Sequence, residues 1–364
     1  MQQALTTFIP PFCPRENCPS HCSSGRWTYK RAGSYVRKAA PREIPRYNCR
    51  CCGVSFSSQS FHSTYYLKRP DLLLPVFGRL VACSGFRQIA RDLGVSHTTV
   101  MRLCERLGRH HLLFLWQALK NLTLKEAVVI DGFESFAYSQ YHPCHFHLAV
   151  GAKSHFTYAF TDSELRRKGR MTDAQKRRRQ ELEEKHGRPD PKSIEKEVAE
   201  LLKLLPKAEG SLVVLSDEHP AYPRALKRSG LPVRHEVTPG EAPRTRFNPL
   251  FPVNLMDGLL RHSSANHKRE TIAFSKTRQN GVERLAIFAV WRNFAKWFSE
   301  NHPGTTPAMA AGLAERKLAP REIVNERLFP WRIELPERWE RYYRRLTSTV
   351  AQVKTRPHAL RLAY

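Results

Sequence analysis

Two short apolar runs in this 364-residue chain each finish on an aspartate: Val128-Val129-Ile130-Asp131 and Leu212-Val213-Val214-Leu215-Ser216-Asp217. Branched apolar runs of this length read as buried strands. A carboxylate at the C-terminal lip of one such strand can meet another across a sheet, and a converged pair holds hard divalent cations. The surrounding pattern extends this to a sheet. Ala127 to Asp131 reads as a first strand, and His145 to Gly151 and Phe156 to Thr161 as two more around the turn-like Gly151-Ala-Lys-Ser154. A fourth strand falls at 211–216 and a fifth at Leu231 to Val237. If the first and fourth of these strands lie side by side, Asp131 and Asp217 come to a shared-metal distance.

The charge balance narrows the partner. With 60 Lys+Arg against 33 Asp+Glu, the formal net charge is +27, which favours a polyanion because each neutralised phosphate releases counterions. A merely basic soluble enzyme is the bland alternative. No apolar run approaches the ~20 residues a spanning helix needs, and the first twenty residues lack a signal-peptide pattern. The expectation is a cytoplasmic protein associated with the nucleoid. Of nine cysteines, six crowd into residues 13–52, and in a reducing compartment such clustering argues for metal rather than disulfides.

Cys13-Pro-Arg-Glu-Asn-Cys18 and Tyr47-Asn-Cys49-Arg-Cys51-Cys52-Gly53 read as two knuckles of a zinc ribbon, with Cys13, Cys18, Cys49 and Cys52 as the preferred ligands of a structural Zn²⁺. Cys22 can replace Cys18, and Cys51 can compete with either neighbour. Residues 85–104 follow a helix-turn-helix pattern: Ile89, Ala90, Leu93, Val95, Val100 and Leu103 form one apolar face, Gly94 suits the left-handed turn, and Ser96 caps the second helix. His97, Thr98, Thr99 and Arg102 become candidate base contacts, with Arg87 and Arg91 near phosphates. A helical hairpin that binds no DNA is the competing reading. A linking helix is expected over His111 to Asn121.

Residues 162–209 read as a solvated, charged helical insertion whose later part, Ile194 to Leu205, packs on the sheet. A helix should open near Val253, placing residues 254, 257 and 261 on one face. Asp257 thereby becomes a candidate third carboxylate. Arg261, Lys268, Arg269, Lys276 and Arg278 suit phosphates. Val282 to Phe298 reads as an amphipathic helix carrying Trp291 and Trp297, which are core residues more often than base-stacking platforms.

Four motifs resemble those of DDE-type transposases from compact bacterial insertion sequences: Tyr47-x-Cys49-x-x-Cys52 with Phe56, the helical pair at 85–104, Ser216-Asp217-x-x-Pro220-x-Tyr222, and Leu260-Arg261 through Arg269 to Phe274-Ser275-Lys276. The resemblance implies an α/β chain: a zinc ribbon (1–62), a helix-turn-helix domain (63–122) and a ribonuclease H-like catalytic domain (123–298, with the insertion at 162–209); residues 299–364 lie outside it and read as a basic aromatic tail. It further implies two-metal Mg²⁺ catalysis, recognition of terminal inverted repeats in double-stranded DNA, and a homo-oligomer on the transposon ends. Asp131 and Asp217 match the family's first two acids. The family's glutamate position falls on Asn254, so Asp257, one turn later, is taken as the third ligand, with Glu270 and Glu283 as rivals. That departure keeps open a catalytically inactive DNA-binding regulator, and a structure-selective nuclease of the same fold. Trp331, Trp339, Tyr342 and Tyr343 in the tail are candidates for DNA contact or a dimer arm.

Overall fold

The computed structural model describes residues 8–22, 27–301, 303–349 and 357–358. Its amino-terminal part holds a one-turn helix α1 (Pro19–Cys22) and the strands β1 (Tyr29–Val36), β2 (Glu43–Cys49) and β3 (Ser55–Ser57), antiparallel in the order β1-β2-β3. So small a sheet cannot bury an apolar face by itself. An aromatic knot substitutes: Tyr47 stacks on Phe56 at 5.6 Å, and Phe61 and the distant Phe329 complete the cluster.

Three helices follow, α2 (Leu73–Val81), α3 (Phe86–Asp92) and α4 (His97–Leu119). Gly94 takes φ +62° between α3 and α4, a conformation that glycine adopts without penalty, and the Ser96 hydroxyl accepts the Thr98 N–H at 3.3 Å. The linking helix expected from His111 is not separate. It is the second half of α4, because the apolar stripe from Val100 through Leu107 to Leu119 continues with no proline to break it.

The central sheet is built from β4 (Val128–Phe136), β5 (Pro143–Gly151) and β6 (Thr157–Glu164), then, after helices α5 (Asp173–His186) and α6 (Ser193–Lys203), from β7 (Leu212–Ser216), helix α7 (Ala221–Ser229) and β8 (Val233–Val237). Its order is β6-β5-β4-β7-β8. The first three strands are antiparallel, while β7 runs parallel to β4, and β8 parallel to β7. One expectation needs correcting: Asp131 does not end its strand. The ladder from β4 to β5 continues to Phe136 opposite Pro143, whereas pairing with β7 stops at Val129 and Leu215. Asp131 therefore stands where the sheet splits.

The charged segment also divides differently. Residues 162–164 belong to β6, and Asp162 is fully buried. Helix α5 buries no residue and is held by charge, Arg166 pairing with Glu183 at 2.8 Å, while α6 packs on β5, β6 and α7. Helix α8 (Phe251–Ser263) opens near the expected position. Helix α9 (Arg278–Val290) is not amphipathic, since Gln279 to Val290 are buried throughout, and it passes into a wider turn at Trp291–Ala295. It lies so close to α4 that a Cβ on Gly108 would sit 2.7 Å from the Glu283 Cβ and 2.9 Å from its Cα.

The carboxy-terminal segment folds back through the short helices α10 (Pro307–Ala310), α11 (Pro320–Asn325), α12 (Pro330–Ile333) and α13 (Glu337–Tyr343). Trp339, Tyr342 and Tyr343 are buried inside the chain, with Trp339 Nε1 donating to the Phe160 carbonyl and the Tyr342 hydroxyl to Asp162 Oδ1 at 2.7 Å. Their aromatic area is consumed in packing, which removes them as DNA or dimer contacts; Trp331 remains 45% exposed. Residues 350–356 and 359–364 of the expected tail lie outside the described residues. One continuous core joins residues from Leu72, in the short turn of helix before α2, to Tyr342 on α13. Among the described residues, no helix is long and apolar enough to cross a membrane.

Candidate active site and metal centre

The ribbon folds its knuckles so that four thiols face one point. Cys13 and Cys18 precede or open α1, Cys49 ends β2, and the following turn, closed by the Gly53 N–H on the Cys49 carbonyl at 3.0 Å, returns Cys52. Cys13 Sγ lies 3.7 Å from Cys52 Sγ, Cys18 Sγ lies 3.8 Å from Cys49 Sγ, and all four sulfurs fall within 4.8 Å of one another. Sulfurs bound ~2.3 Å from a common tetrahedral centre stand about 3.8 Å apart. The quartet therefore fits zinc with little rearrangement. Cys22 and Cys51, the alternatives left open by spacing, are exposed and outside it.

The second site is an open cleft of about 1210 Å³ at the split of the central sheet. Asp131 enters it from β4, Asn254, Asp257 and Arg261 from successive turns of α8, and Lys268 and Arg269 from the loop beyond. The Gly132 N–H donates to Asp131 Oδ1 at 2.7 Å and the Tyr222 hydroxyl to the same oxygen at 3.3 Å. Burial pushes the Asp131 carboxyl up to about 6; the Gly132 amide opposes this and the charge of Asp217 adds to it. Asp257 is pushed up to about 7 by burial and by the charge of Asp131, with Arg261 opposing. Its Oδ1 is buried and accepts no hydrogen bond. A desolvated, unpartnered carboxylate oxygen beside a second carboxylate is a costly arrangement that a cation relieves.

Asp217 follows β7 directly. Its Oδ1 accepts the His219 N–H at 2.9 Å, and His219, rather than Asp217 itself, lines the cleft. Asp131 feels the charge of Asp217, and Asp257 that of Asp131, but among the described residues only the cysteine quartet forms a group whose ligand atoms already stand at metal-sharing separations. The rival third acids are elsewhere. Glu283 is fully buried in α9, bonded to Arg345 at 2.7 Å and to Gln279 and Asn280 at 3.1 Å each, while Glu270 is exposed and outside the cleft lining.

Positive charge surrounds these carboxylates. Arg261 lies over the Phe133 ring at 5.3 Å, and Arg166, Arg167, Lys168, Arg188 and Arg244 also line the cleft. Arg244 was not singled out by sequence; its signal was an arginine in the Pro-rich approach to α8. His145 was also missed, although alternating histidines in an apolar strand are unusual. It lines the cleft and contacts His147 Nδ1 at 3.1 Å, and His147 Nε2 contacts the Ser163 hydroxyl at 3.0 Å. Burial lowers the His145 imidazole to about 4, helped by His219, and holds His147 well below the usual histidine range.

At the helical pair, Arg87, His97, Thr98 and Arg102 are exposed and Thr99 is half-buried at the start of α4. Lys276, over the Phe274 ring at 3.5 Å, is close enough to Arg87 for that charge, after burial, to lower its ammonium pKa. The buried Arg284 donates to the carbonyls of Leu80 at 3.3 Å and Ser84 at 3.1 Å, pinning the end of α2 and the turn before α3 onto α9.

No family model and no curated protein matches the sequence. Among solved structures, the chain is similar to one in the cryoEM structure of the simian T-cell lymphotropic virus intasome in complex with PP2A regulatory subunit B56 gamma. That match has 13% identity and a TM-score of 0.27, and covers 68% of this chain and 74% of the other. Likeness of that size carries no argument about fold or chemistry, so the functional reading rests on the residues themselves.

Proposed function

We propose that the protein is a DDE/D-type DNA transposase with a ribonuclease H-like catalytic body, which binds the terminal inverted repeats of an insertion sequence and cuts and joins DNA strands. The observation that carries this reading is the pair of half-buried carboxylates Asp131 and Asp257 in a basic cleft, each pushed up by desolvation and by a neighbouring aspartate's charge, with Asp217 acting on Asp131 from the end of the adjoining parallel strand. Asp131, Asp217 and Asp257 are an all-oxygen donor set, and the unpartnered Oδ1 of Asp257 suits a hard cation such as Mg²⁺. When bound, such ions supply Lewis acidity toward the phosphodiester and toward the attacking water or 3′-hydroxyl.

The chain's own residues do the positioning. Gly132 and Tyr222 fix one oxygen of Asp131, and Arg261, braced on Phe133, keeps positive charge beside Asp257. Lys268, Arg269 and Arg166 to Lys168, all lining the cleft, hold phosphates of the strand to be cut. Arg87, His97, Thr98, Thr99 and Arg102 present the exposed start of α4 to a major groove, with Lys276 extending the phosphate track. Zinc on the cysteine quartet stabilises the ribbon. The partners are double-stranded DNA and further copies of the chain on it, and the location is the bacterial nucleoid. The second reading, a DNA-binding regulator without catalysis, is favoured by Asn254 standing in the cleft where the resembling family has glutamate.

The deciding experiment is strand transfer with labelled transposon-end DNA in Mg²⁺, comparing the wild type with Asp217→Asn and Asp257→Asn. Joined product from the wild type that is lost in both variants supports the transposase and names the third acid. Tight end binding without cleavage by any of the three leaves the regulator.

A further inference from the structure

The zinc ribbon carries a second groove, remote in sequence from both the cleft acids and α4. It has a volume of about 420 Å³ and runs between β1, β2 and the segment that follows Phe61. That volume lies within the ~300–1,000 Å³ range of clefts that take a small planar group. Its walls combine two features rarely exposed together. Tyr66 is 61% exposed and Tyr35 39% exposed, and Tyr65 meets Tyr66 edge-on at 4.5 Å. Arg46 and Lys68 are exposed on the same walls, neither makes an ion pair among the described residues, and no carboxylate lines the groove.

The backbone adds a third feature. Tyr66 sits at φ +61°, in the left-handed region that disfavours a residue with a Cβ and a bulky ring. Such a conformation is retained only where the surroundings or a function require it. Here it turns a large ring outward to solvent, where it returns little packing to the fold. Tyr35 stands opposite Ile44 across the β1–β2 ladder, two positions from Arg46 in β2, so its ring and that guanidinium share one face of the ribbon. Rings spaced along a positively charged, acid-free groove are the arrangement that binds bases by their faces and the backbone by its charge. Paired bases hide those faces inside the duplex stack.

We infer that this groove binds unpaired nucleotides of a DNA strand, with Tyr66 and Tyr35 stacking on bases and Arg46 and Lys68 contacting the flanking phosphates. The inference rests on the proposal that the chain works on DNA and specifies the part of the DNA that the ribbon holds: a frayed or single-stranded stretch, not duplex.

The test uses the full zinc-loaded chain, a fluorescent 12-nucleotide oligothymidylate and, in parallel, a duplex of the transposon end, both followed by anisotropy. Tyr66→Asn tolerates the left-handed backbone while removing the ring, Tyr66→Phe keeps the ring, and Tyr35→Ala removes the second platform. The expected result is a roughly tenfold or greater loss of oligothymidylate affinity for Tyr66→Asn and for Tyr35→Ala, no loss for Tyr66→Phe, and unchanged duplex affinity. Failure of the wild type to bind oligothymidylate, unchanged affinity in Tyr66→Asn and Tyr35→Ala, or equal losses on oligothymidylate and duplex would each overturn the inference. The strand-transfer assay is read separately. Its failure alongside intact stacking refutes the catalytic proposal and leaves the groove standing.

Discussion

Asp162 tests how the carboxy-terminal segment is held. Its carboxylate is fully buried in β6 and receives Arg278 Nε at 2.6 Å, Arg338 Nη2 at 3.1 Å and the Tyr342 hydroxyl at 2.7 Å. Burial opposes ionisation, yet Arg278 and Arg338 hold the carboxyl below its ordinary range. Replacing Asp162 by Asn keeps the volume and removes the charge between two nearly buried guanidiniums. Breaking a buried pair in this way costs about 3–5 kcal/mol, because the remaining charge stays desolvated. The lower end applies here, since Arg278 keeps Glu164 at 3.2 Å and Arg338 keeps Glu197 at 2.8 Å. A loss of ~3 kcal/mol is a large share of the ~5–15 kcal/mol that stabilises a typical folded domain. The exposed pair Arg69–Asp71, 2.7 Å apart, is the control, and Asp71→Asn should cost no more than about 1 kcal/mol. Urea titration measures both. Hydrogen exchange of α13, whose Trp339 is buried against Phe160, reports whether that helix leaves the sheet before the rest unfolds. An Asp162→Asn variant within 1 kcal/mol of wild type, or an Asp71→Asn variant equally destabilised, refutes the reasoning.

Further perturbations follow from the same geometry. Cys49→Ser should lower bound zinc below one ion per chain by atomic absorption and raise hydrogen exchange in residues 27–62, while α9 stays protected. Gly108→Ala should destabilise by about 1–3 kcal/mol in the same urea titration, because the backbone of Glu283, not only a side chain, stands at 2.9 Å. Acid should unfold the chain between pH ~6.5 and ~4, where each buried histidine with a lowered pKa contributes up to ~1.4 kcal/mol per pH unit, since the unfolded chain binds the proton and the folded one does not. Burial lowers His110 and His145 to about 4 and His111 and His267 to about 3. Asp131 at about 6 and Asp257 and Glu197 at about 7 act oppositely, since raised carboxyl pKa values contribute stability as pH falls, but the lowered histidines outnumber them. Circular dichroism against pH checks the sign.

Local patterns in the chain were sufficient for the parts whose physics is local. Knuckle spacing placed four thiols, Gly94 and Ser96 marked the turn between α3 and α4, and the apolar runs before Asp131 and Asp217 predicted two strands that lie side by side. The spacing could not choose among Cys18, Cys22, Cys49, Cys51 and Cys52, because the choice depends on which sulfurs face inward once β2 and α1 pack. Helical spacing alone put Asn254, Asp257 and Arg261 on one face, but only the docking of α8 beside β4 put that face in the cleft and desolvated Asp257. Tertiary contact also reversed two sequence readings. Val282 to Val290, read as half-exposed, is enclosed on every side by α4, the sheet and the returning carboxy-terminal segment. Of the residues read as candidates for DNA contact or a dimer arm, Trp339 and Tyr342 close over β6 instead, and Tyr343 packs with Leu113 and Ile333. The physical reason is common to these cases. Periodicity records which residues are apolar, but the surface that covers an element comes from residues remote in the chain, such as Phe329 on the ribbon and Arg345 on Glu283.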